Sequence, residues 1–216
     1  IQVYLLMKNI PILILLLLGS CVQAQKPASP IVNLTDVQLL DTVQYYTFQY
    51  FWKGAESNSG MAPERIHIDG VYPDNDAHII TTGGTGMGMI GILGAVEHGW
   101  ISRQETVTRF EKMLNFLEKA DRWNGIWPHW LDGRTGRVKP FSPKDDGADL
   151  VESAFLMQGL LVVREYFKDG NEAEKSVAAR IDTLWKEMDW AFHTQNSEVL
   201  FWHWSPRYLW EMNFAL

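Results

Sequence analysis

Segments with helical spacing alternate along the chain with connections of two very different lengths. Five helices are predicted, over residues 36–53, 85–98, 102–120, 149–167 and 172–192. Long polar or aromatic loops follow the first and third helices, whereas short turns follow the second and fourth. This alternation is typical of antiparallel helical hairpins whose long loops gather at one end of a bundle or ring. The sequence therefore predicts an all-α fold with its functional loops at that end.

Signals for other secondary structure are weak. No stretch alternates apolar and polar residues long enough to predict a sheet, so residues 78–82 are expected to form one short strand at most. A further helix is expected to begin at Tyr208.

The N-terminus has the pattern of an export signal. Met7 and Lys8 precede an apolar run at residues 10–18, which is too short to cross a bilayer as a helix. We expect residues 1–24 to comprise upstream residues and a signal peptide. Residues 25–34, with two prolines, are expected to be a linker.

Two processing routes remain open after the apolar run. Residues 22–24 suit signal peptidase, while residues 18–21 resemble a lipobox in which Cys21 becomes lipidated. Either route predicts an exported protein, periplasmic or held at the outer membrane only through a lipid anchor. Cys21 is the one cysteine, so a thiolate nucleophile and a cysteine-ligated metal site are excluded from the folded domain.

Composition and motifs exclude several classes of function. The net charge is −7 and the lysines and arginines form no block, so no nucleic-acid partner is expected. The sequence contains no Gly-x-Ser-x-Gly motif, so a serine hydrolase with a nucleophile elbow is excluded. The glycine-rich residues 83–88 lack the strand and βαβ surroundings of a nucleotide loop. We expect these glycines to let a helix begin and pack closely against a neighbour.

Acidic residues stand at the start of an apolar helical segment. Asp149 and Glu152 are three residues apart and share one face in the first turns of that helix. Such residues ordinarily cap a helix and complement its dipole. Two nearby carboxyl groups are also what glycoside hydrolysis requires. Both residues are therefore candidate catalytic groups, with capping as the alternative.

Two loops combine tryptophan with histidine. They are residues 127–130 (Trp-Pro-His-Trp) and residues 202–206 (Trp-His-Trp-Ser-Pro). Aromatic rings stack on the apolar faces of sugars, and sugar hydroxyl groups need polar partners. The loops favour a carbohydrate cleft, although tryptophans that only fill the ends of the helical layers are the alternative.

No histidine pair has the spacing of a metal site on a helix. Only the oxygen-rich residues 69–76 leave open the binding of a structural calcium ion.

Five segments together resemble the bacterial glucoamylase-like family that includes the endo-β-1,2-glucanases. They are residues 47–52 (TFQYFW), 82–86 (TGGTG), 99–103 (GWISR), 145–161 and 202–206 (WHWSP). The resemblance runs from about residue 36 to the C-terminus, and the motifs occur in the family's order.

The resemblance implies an (α/α)6 toroid with substrate bound at the end of the ring. It also implies inverting hydrolysis of β-1,2-linked glucan without a metal or organic cofactor. Asp149 and Glu152 match the family's acidic motif and become the expected catalytic residues. Contacts with an oligosaccharide or polysaccharide substrate are expected from Arg65, Trp127, His129, Trp130, Asp145, Asp146, Trp202, His203 and Trp204.

One family feature has no counterpart here. In the family a Gly-x-Asn-Glu motif follows the second tryptophan loop, and its glutamate is the proposed general acid; the sequence ends at Leu216 before such a motif occurs. Five or six helices are predicted, whereas a toroid has twelve. We therefore expect residues 35–216 to be the N-terminal part of the domain, and expect the chain alone to be insoluble or inactive.

Two other functions remain as alternatives. A surface lipoprotein could bind glycans through the same loops without cleaving them. A polysaccharide lyase could use a similar helical toroid, but its acidic sugars need compensating positive charge, which an acidic cleft does not supply.

Overall fold

The computed structural model describes residues 33–72, 76–212 and 214–216. Its α-helices are α1 (Asp36–Trp52), α2 (Thr82–Glu97), α3 (Arg103–Leu117), α4 (Leu150–Phe167) and α5 (Glu172–Glu187). Its short strands are β1 (Ile79–Thr81), β2 (Trp130–Asp132), β3 (Ala148–Asp149) and β4 (His203–Trp204), and a 3-10 helix spans Phe192–Thr194. The described chain is thus mostly helical, as predicted. The predicted signal peptide and Cys21 lie outside the described residues.

Local capping explains where the helices begin. Thr35 and Gln38 form a capping box at the start of α1, and Ser102 and Glu105 form another at the start of α3. Asp149 caps α4 by accepting a hydrogen bond from the Glu152 N–H. These three starts agree with the sequence prediction because the capping side chain and the N–H that it binds are only three residues apart.

The helix ends differ from the prediction. Helix α3 ends at Leu117 rather than Ala120, and α5 ends at Glu187 rather than Phe192. The loop residue Asn124 accepts a hydrogen bond from the Asp189 N–H at 2.9 Å, which draws the chain away from the helical path. A distant loop thus ends α5, and the local periodicity does not reveal it.

Helices α2 and α4 form the most extensive helix pair, and glycines allow them to touch. A Cβ on Gly86 would lie 2.1 Å from the Phe155 carbonyl oxygen, and one on Gly159 would lie 2.1 Å from the Gly86 carbonyl oxygen. Gly88 similarly admits the Phe51 ring of α1. Helices α1 and α3 also pack on α2, and α5 packs on α3 and α4. The expectation that the glycine-rich segment serves helix packing is confirmed, although α2 begins at Thr82 rather than near residue 85.

The short strands form two antiparallel pairs. Strand β1 pairs with β2, placing Thr81 opposite Trp130, and β3 pairs with β4, placing Asp149 opposite His203. The prediction of at most one strand was wrong, because each strand has only two or three residues and is stabilised by a partner far away in sequence. The β1–β2 pair brings the first tryptophan loop to the start of α2, and the β3–β4 pair brings the second tryptophan loop to the start of α4.

The predicted helix from Tyr208 is also absent among the described residues 208–212. Ser205 and Leu209 exchange backbone hydrogen bonds of 2.9 and 2.8 Å, and the Ser205 hydroxyl accepts from the N–H of Tyr208. Leu209 has a φ of 52°, which interrupts any helix. The segment therefore forms a tight turn.

None of the helices in the described part of the chain combines the length and hydrophobicity that a membrane crossing needs.

Candidate active site

Both tryptophan loops are joined to the backbone at the start of α4. The Asp149 N–H donates to the Trp127 carbonyl oxygen at 2.9 Å, and the Leu150 N–H donates to the Trp202 carbonyl oxygen at 2.9 Å. Ser153 reinforces the first contact, since its hydroxyl accepts from the Trp127 N–H and donates to the Trp127 carbonyl oxygen. The acidic residues of α4 are thus held between the two loops.

Asp149 uses its two carboxylate oxygens differently. Oδ1 accepts the Glu152 N–H at 2.9 Å and caps α4. Oδ2 makes no hydrogen bond with the described residues and lies 3.6 Å from His129 Nδ1. The residue is fully buried. Capping and a chemical role are therefore compatible, because one oxygen caps the helix and the other faces the histidine.

His129 lies at the centre of three carboxyl groups. Its Nδ1 is 3.4 Å from Asp145 Oδ2 as well as 3.6 Å from Asp149 Oδ2, and its Nε2 is 3.8 Å from Glu152 Oε1. The imidazole stacks on the ring of Phe141 with 4.4 Å between centroids and 5° between planes. This stacking sets the plane of the imidazole, so both nitrogens stay directed at carboxylates.

Burial and neighbouring charges separate the pKa values of this cluster. Burial raises the pKa of Asp149 from 3.8 to about 6, and the nearby charge of Asp145 adds to that effect. Burial also acts to raise the pKa of Asp145, but the adjacent imidazoles of His129 and His203 outweigh it and leave that pKa below its usual value. Burial acts to lower the pKa of His129, yet the surrounding carboxylates raise it above 6.5. A protonated carboxyl group can therefore stand beside an ionised one near pH 6, an arrangement suited to acid–base chemistry.

A cavity of about 300 Å³ opens onto this cluster. Its lining consists of His129, Asp149, Val151, Glu152, Trp202, Phe214 and Leu216. The Glu152 side chain is 21% exposed, whereas those of Asp145 and Asp149 are 1% exposed. Glu152 is thus the carboxylate that a ligand in the cavity meets first. A larger cavity of about 440 Å³ between α4 and α5 is mainly apolar, and Glu165, which contributes a carboxylate to its lining, is paired with Arg164 and Lys168.

Several other predicted residues join the cluster. Trp202 lines the cavity, and its side chain, after burial, the Glu152 N–H and Asp145, is a smaller influence that acts to lower the pKa of Asp149. His203 is fully buried, with Nε2 3.2 Å from Asp145 Oδ1. Trp130 packs against His129 and Phe141, with 5.6 and 4.8 Å between ring centroids.

The remaining predicted substrate residues lie elsewhere. Trp127 is fully buried and its Nε1–H donates to the Leu117 carbonyl oxygen, so it has no exposed surface through which to make the predicted substrate contact. Asp146 is buried and holds Ser205 and Arg207. The other two are also outside the cavity lining: Arg65 is exposed and paired with Glu64, and Trp204 packs on Trp123 and Phe192.

Three contributors escaped the sequence analysis. Phe141 stacks on His129, Ser153 bridges α4 to the first tryptophan loop, and the Gly83 N–H donates to Glu152 Oε2 at 3.0 Å. Phe141 lies outside every motif noted in the sequence, and Ser153 lies within residues 145–161, where only the acidic residues were taken as candidates. Gly83 lies in the glycine-rich segment, which signalled close packing but not a carboxylate partner.

The residues His129, Asp145 and Asp149 could also hold a divalent cation. One ligand atom from each lies within 4.8 Å of the others. The same atoms are within 3.4 to 3.6 Å of the histidine nitrogen, so a shared proton can balance their charge instead. The absence of a metal stays a prediction. In the candidate calcium segment, Asp69 accepts from the Val71 N–H and Asp76 pairs with His67, while residues 73–75 lie outside the described residues.

Comparison with known proteins adds to this geometry. No protein-family model matches the chain. Over 186 residues the chain is 47% identical to the exo β-1,2-glucooligosaccharide sophorohydrolase of Parabacteroides distasonis. The aligned region covers 85% of this chain and 25% of that protein. An endo-β-1,2-glucanase from Chitinophaga pinensis, solved with sophorotriose and glucose, matches with a TM-score of 0.83 and 53% identity, covering 85% of this chain and 44% of that one. The homologues are glucoamylase-like proteins.

The predicted family resemblance is therefore confirmed. A further glucoamylase-like structure, from Bacteroides caccae, has a TM-score of 0.82 and 56% identity, covering 84% of this chain and 44% of that one. The chain thus spans a quarter of the length of the curated relative and less than half of each of these two solved homologues.

Proposed function

We propose that this protein is a glycoside hydrolase that acts on β-1,2-linked glucan and that the carboxyl cluster around His129 forms part of its active site. The observation that carries the proposal is the cluster of Asp145, Asp149 and Glu152 around His129 at the cavity, in which burial raises the pKa of Asp149. The homologues support the choice of substrate, because one is a sophorohydrolase and another is a glucanase solved with sophorotriose.

The proposed reaction is an inverting displacement at the anomeric carbon. A water oxygen forms a bond to that carbon while the glycosidic C–O bond breaks, a carboxylate takes a proton from the water, and a general acid protonates the departing oxygen. Glu152 is the accessible carboxylate at the cavity and is assigned to the water and the sugar hydroxyl groups. Asp149 helps to hold that water. The His129 imidazole lies between Asp149 and Glu152 and couples the charges of the two carboxylates.

The general acid is proposed to come from outside this cluster. An inverting pair needs its carboxyl groups about 6.5 to 9.5 Å apart, and residues in adjacent turns of one helix do not readily provide that spacing. The family resemblance assigns the acid to a glutamate in a Gly-x-Asn-Glu motif, and the 216 residues contain no such motif. We therefore propose that the chain alone is inactive and that a longer reading frame supplies the acid.

The finer architecture and location belong to the same proposal. Short turns join α2 to α3 and α4 to α5, which suits the alternating inner and outer helices of an (α/α)6 toroid. Export through the signal-like residues 1–24, with or without lipidation of Cys21, would place the enzyme in the periplasm or at the outer membrane.

The test measures hydrolysis of β-1,2-glucan by the protein encoded by the longest reading frame that contains this chain. Glu152→Gln and Asp149→Asn should each lower kcat by at least about 100-fold, since each removes a carboxylate from the reacting water. Glu165→Gln is the matched control, because Glu165 lies on the same helix but is exposed and paired with Lys168. Anomeric NMR of the first products should show inversion.

Undiminished turnover in Glu152→Gln and Asp149→Asn would remove these residues from the mechanism. Affinity for sophorotriose without any product over long incubation would instead favour the glycan-binding alternative. Unsaturated products would indicate a lyase.

A further inference from the structure

The first turn of α2 contacts both sides of the candidate active site. The Thr82 N–H donates to the His129 carbonyl oxygen at 3.2 Å, and the Thr82 hydroxyl donates to the Pro128 carbonyl oxygen at 2.6 Å. One residue later, the Gly83 N–H donates to Glu152 Oε2 at 3.0 Å. Two successive residues of α2 thus bind the first tryptophan loop, which carries His129, and the carboxylate of Glu152.

The lack of a side chain at Gly83 makes room for the Glu152 carboxylate. A Cβ at this position would lie 2.4 Å from Glu152 Oε2 and 3.1 Å from its Cδ. Ordinary contact begins at 3.4 Å, so the oxygen would have to move by about 1 Å. The N-terminal end of α2 also favours the negative charge of the carboxylate.

Gly83 differs in this respect from Gly86, another glycine of α2. Gly86 is required by the backbone of α4, because its Cβ would lie 2.1 Å from the Phe155 carbonyl oxygen. Gly83 instead faces the far end of a flexible side chain, with the Phe155 Cβ at 3.3 Å as the next neighbour. A methyl group at Gly83 can therefore be accommodated by moving the carboxylate rather than the helix.

We propose that Thr82 and Gly83 are positioning residues that fix Glu152 relative to His129. Thr82 fixes the loop that carries the histidine, and Gly83 fixes the carboxylate whose Oε1 lies 3.8 Å from His129 Nε2. The part of this inference that concerns turnover rests on the proposed function, whereas the placement of Glu152 can be measured without it.

The direct test compares Gly83→Ala with Gly91→Ala in the full-length protein. Both add one methyl group to α2, but a Cβ at Gly91 would meet no atom of the described residues within 4 Å. A crystal structure of Gly83→Ala should show the Glu152 carboxylate displaced by about 1 Å or more, with its hydrogen bond to residue 83 lost. Gly91→Ala should leave the carboxylate in place. An unmoved Glu152 in Gly83→Ala would overturn the inference even if the enzyme proves inactive on β-1,2-glucan.

Kinetics separate positioning from a general effect on the fold. A misplacement of about 1 Å can lower the rate by about 100-fold, so Gly83→Ala should lower kcat by roughly that factor while KM changes only a few-fold. Gly91→Ala should stay within about two-fold of the parent protein. Equal effects of the two substitutions would contradict the positioning role.

A double-mutant cycle with Glu152→Gln tests whether Gly83 acts through the glutamate. If it does, Gly83→Ala should lower the residual rate of the Glu152→Gln variant far less than it lowers that of the parent protein. The same fold-reduction in both backgrounds would show an independent structural effect and overturn the inference.

Thr82 provides a second pair of variants should Gly83→Ala fail to fold. Thr82→Val removes the hydrogen bond to Pro128 at nearly constant volume, and Thr82→Ser retains it. We expect Thr82→Val to lower kcat and shift the pH profile, and Thr82→Ser to restore both. Identical profiles for the two variants would refute the role of Thr82.

Discussion

Replacing Asp149 by asparagine should make the protein more stable at neutral pH. The pKa of Asp149 is raised by burial from 3.8 to about 6, so the folded state binds the proton more tightly than the unfolded state. This contribution to stability is fully present below pH 3.8 and is lost as the pH rises through about 6. The difference of about 2.2 between the two pKa values corresponds to about 3 kcal/mol.

Asparagine imitates the protonated carboxyl group in shape and charge. Its carbonyl oxygen can accept the Glu152 N–H that Asp149 Oδ1 accepts, so the cap of α4 is retained. The amide group removes the negative charge beside Asp145 and can donate toward His129 Nδ1. Because the charge of Asp149 helps to raise the pKa of His129, that pKa should fall in the variant.

The assay is urea unfolding of the parent protein and Asp149→Asn from pH 4 to pH 8. At pH 8 the variant should have a free energy of unfolding larger by about 2 to 3 kcal/mol, and near pH 4 the two proteins should be similar. Asp41→Asn, which removes an exposed carboxylate from α1, should change stability by less than about 0.5 kcal/mol at either pH. A variant that is no more stable at pH 8, or a difference that does not vary with pH, would refute the assigned burial cost of Asp149.

Two further predictions concern the support of the site and its cofactor requirement. Ser153→Ala should lower the free energy of unfolding by about 1 to 3 kcal/mol, because it leaves the buried Trp127 N–H without its partner; thermal unfolding measures this, and an unchanged midpoint would contradict it. Treatment with EDTA should change neither the unfolding temperature nor turnover of β-1,2-glucan, because the His129 imidazole, when protonated, can balance the charges of Asp145 and Asp149 without a metal ion. A loss restored by one divalent cation would instead assign a metal to His129, Asp145 and Asp149.

Helix positions could largely be predicted from the sequence because the forces that start a helix act locally. Thr35, Ser102 and Asp149 each bind an N–H three residues away, so a short window of sequence contains the whole signal. The end of α5 could not be predicted, because Asn124 lies more than sixty residues from the Asp189 that it binds. Strand β1 lies within the predicted residues 78–82, whereas β2, β3 and β4 escaped prediction because each exists only through a partner distant in sequence.

The acidic pair and the two tryptophan loops were recognisable in the sequence as candidate parts of an active site, but their roles depend on the tertiary structure. Trp127 and Trp202 occur in similar motifs, yet one is fully buried in the core and the other lines the cavity. Asp149 could be identified as a cap from sequence spacing alone. Its second oxygen faces His129, and its pKa is about 6, because the fold buries it beside Asp145 and removes the water that would otherwise stabilise its charge.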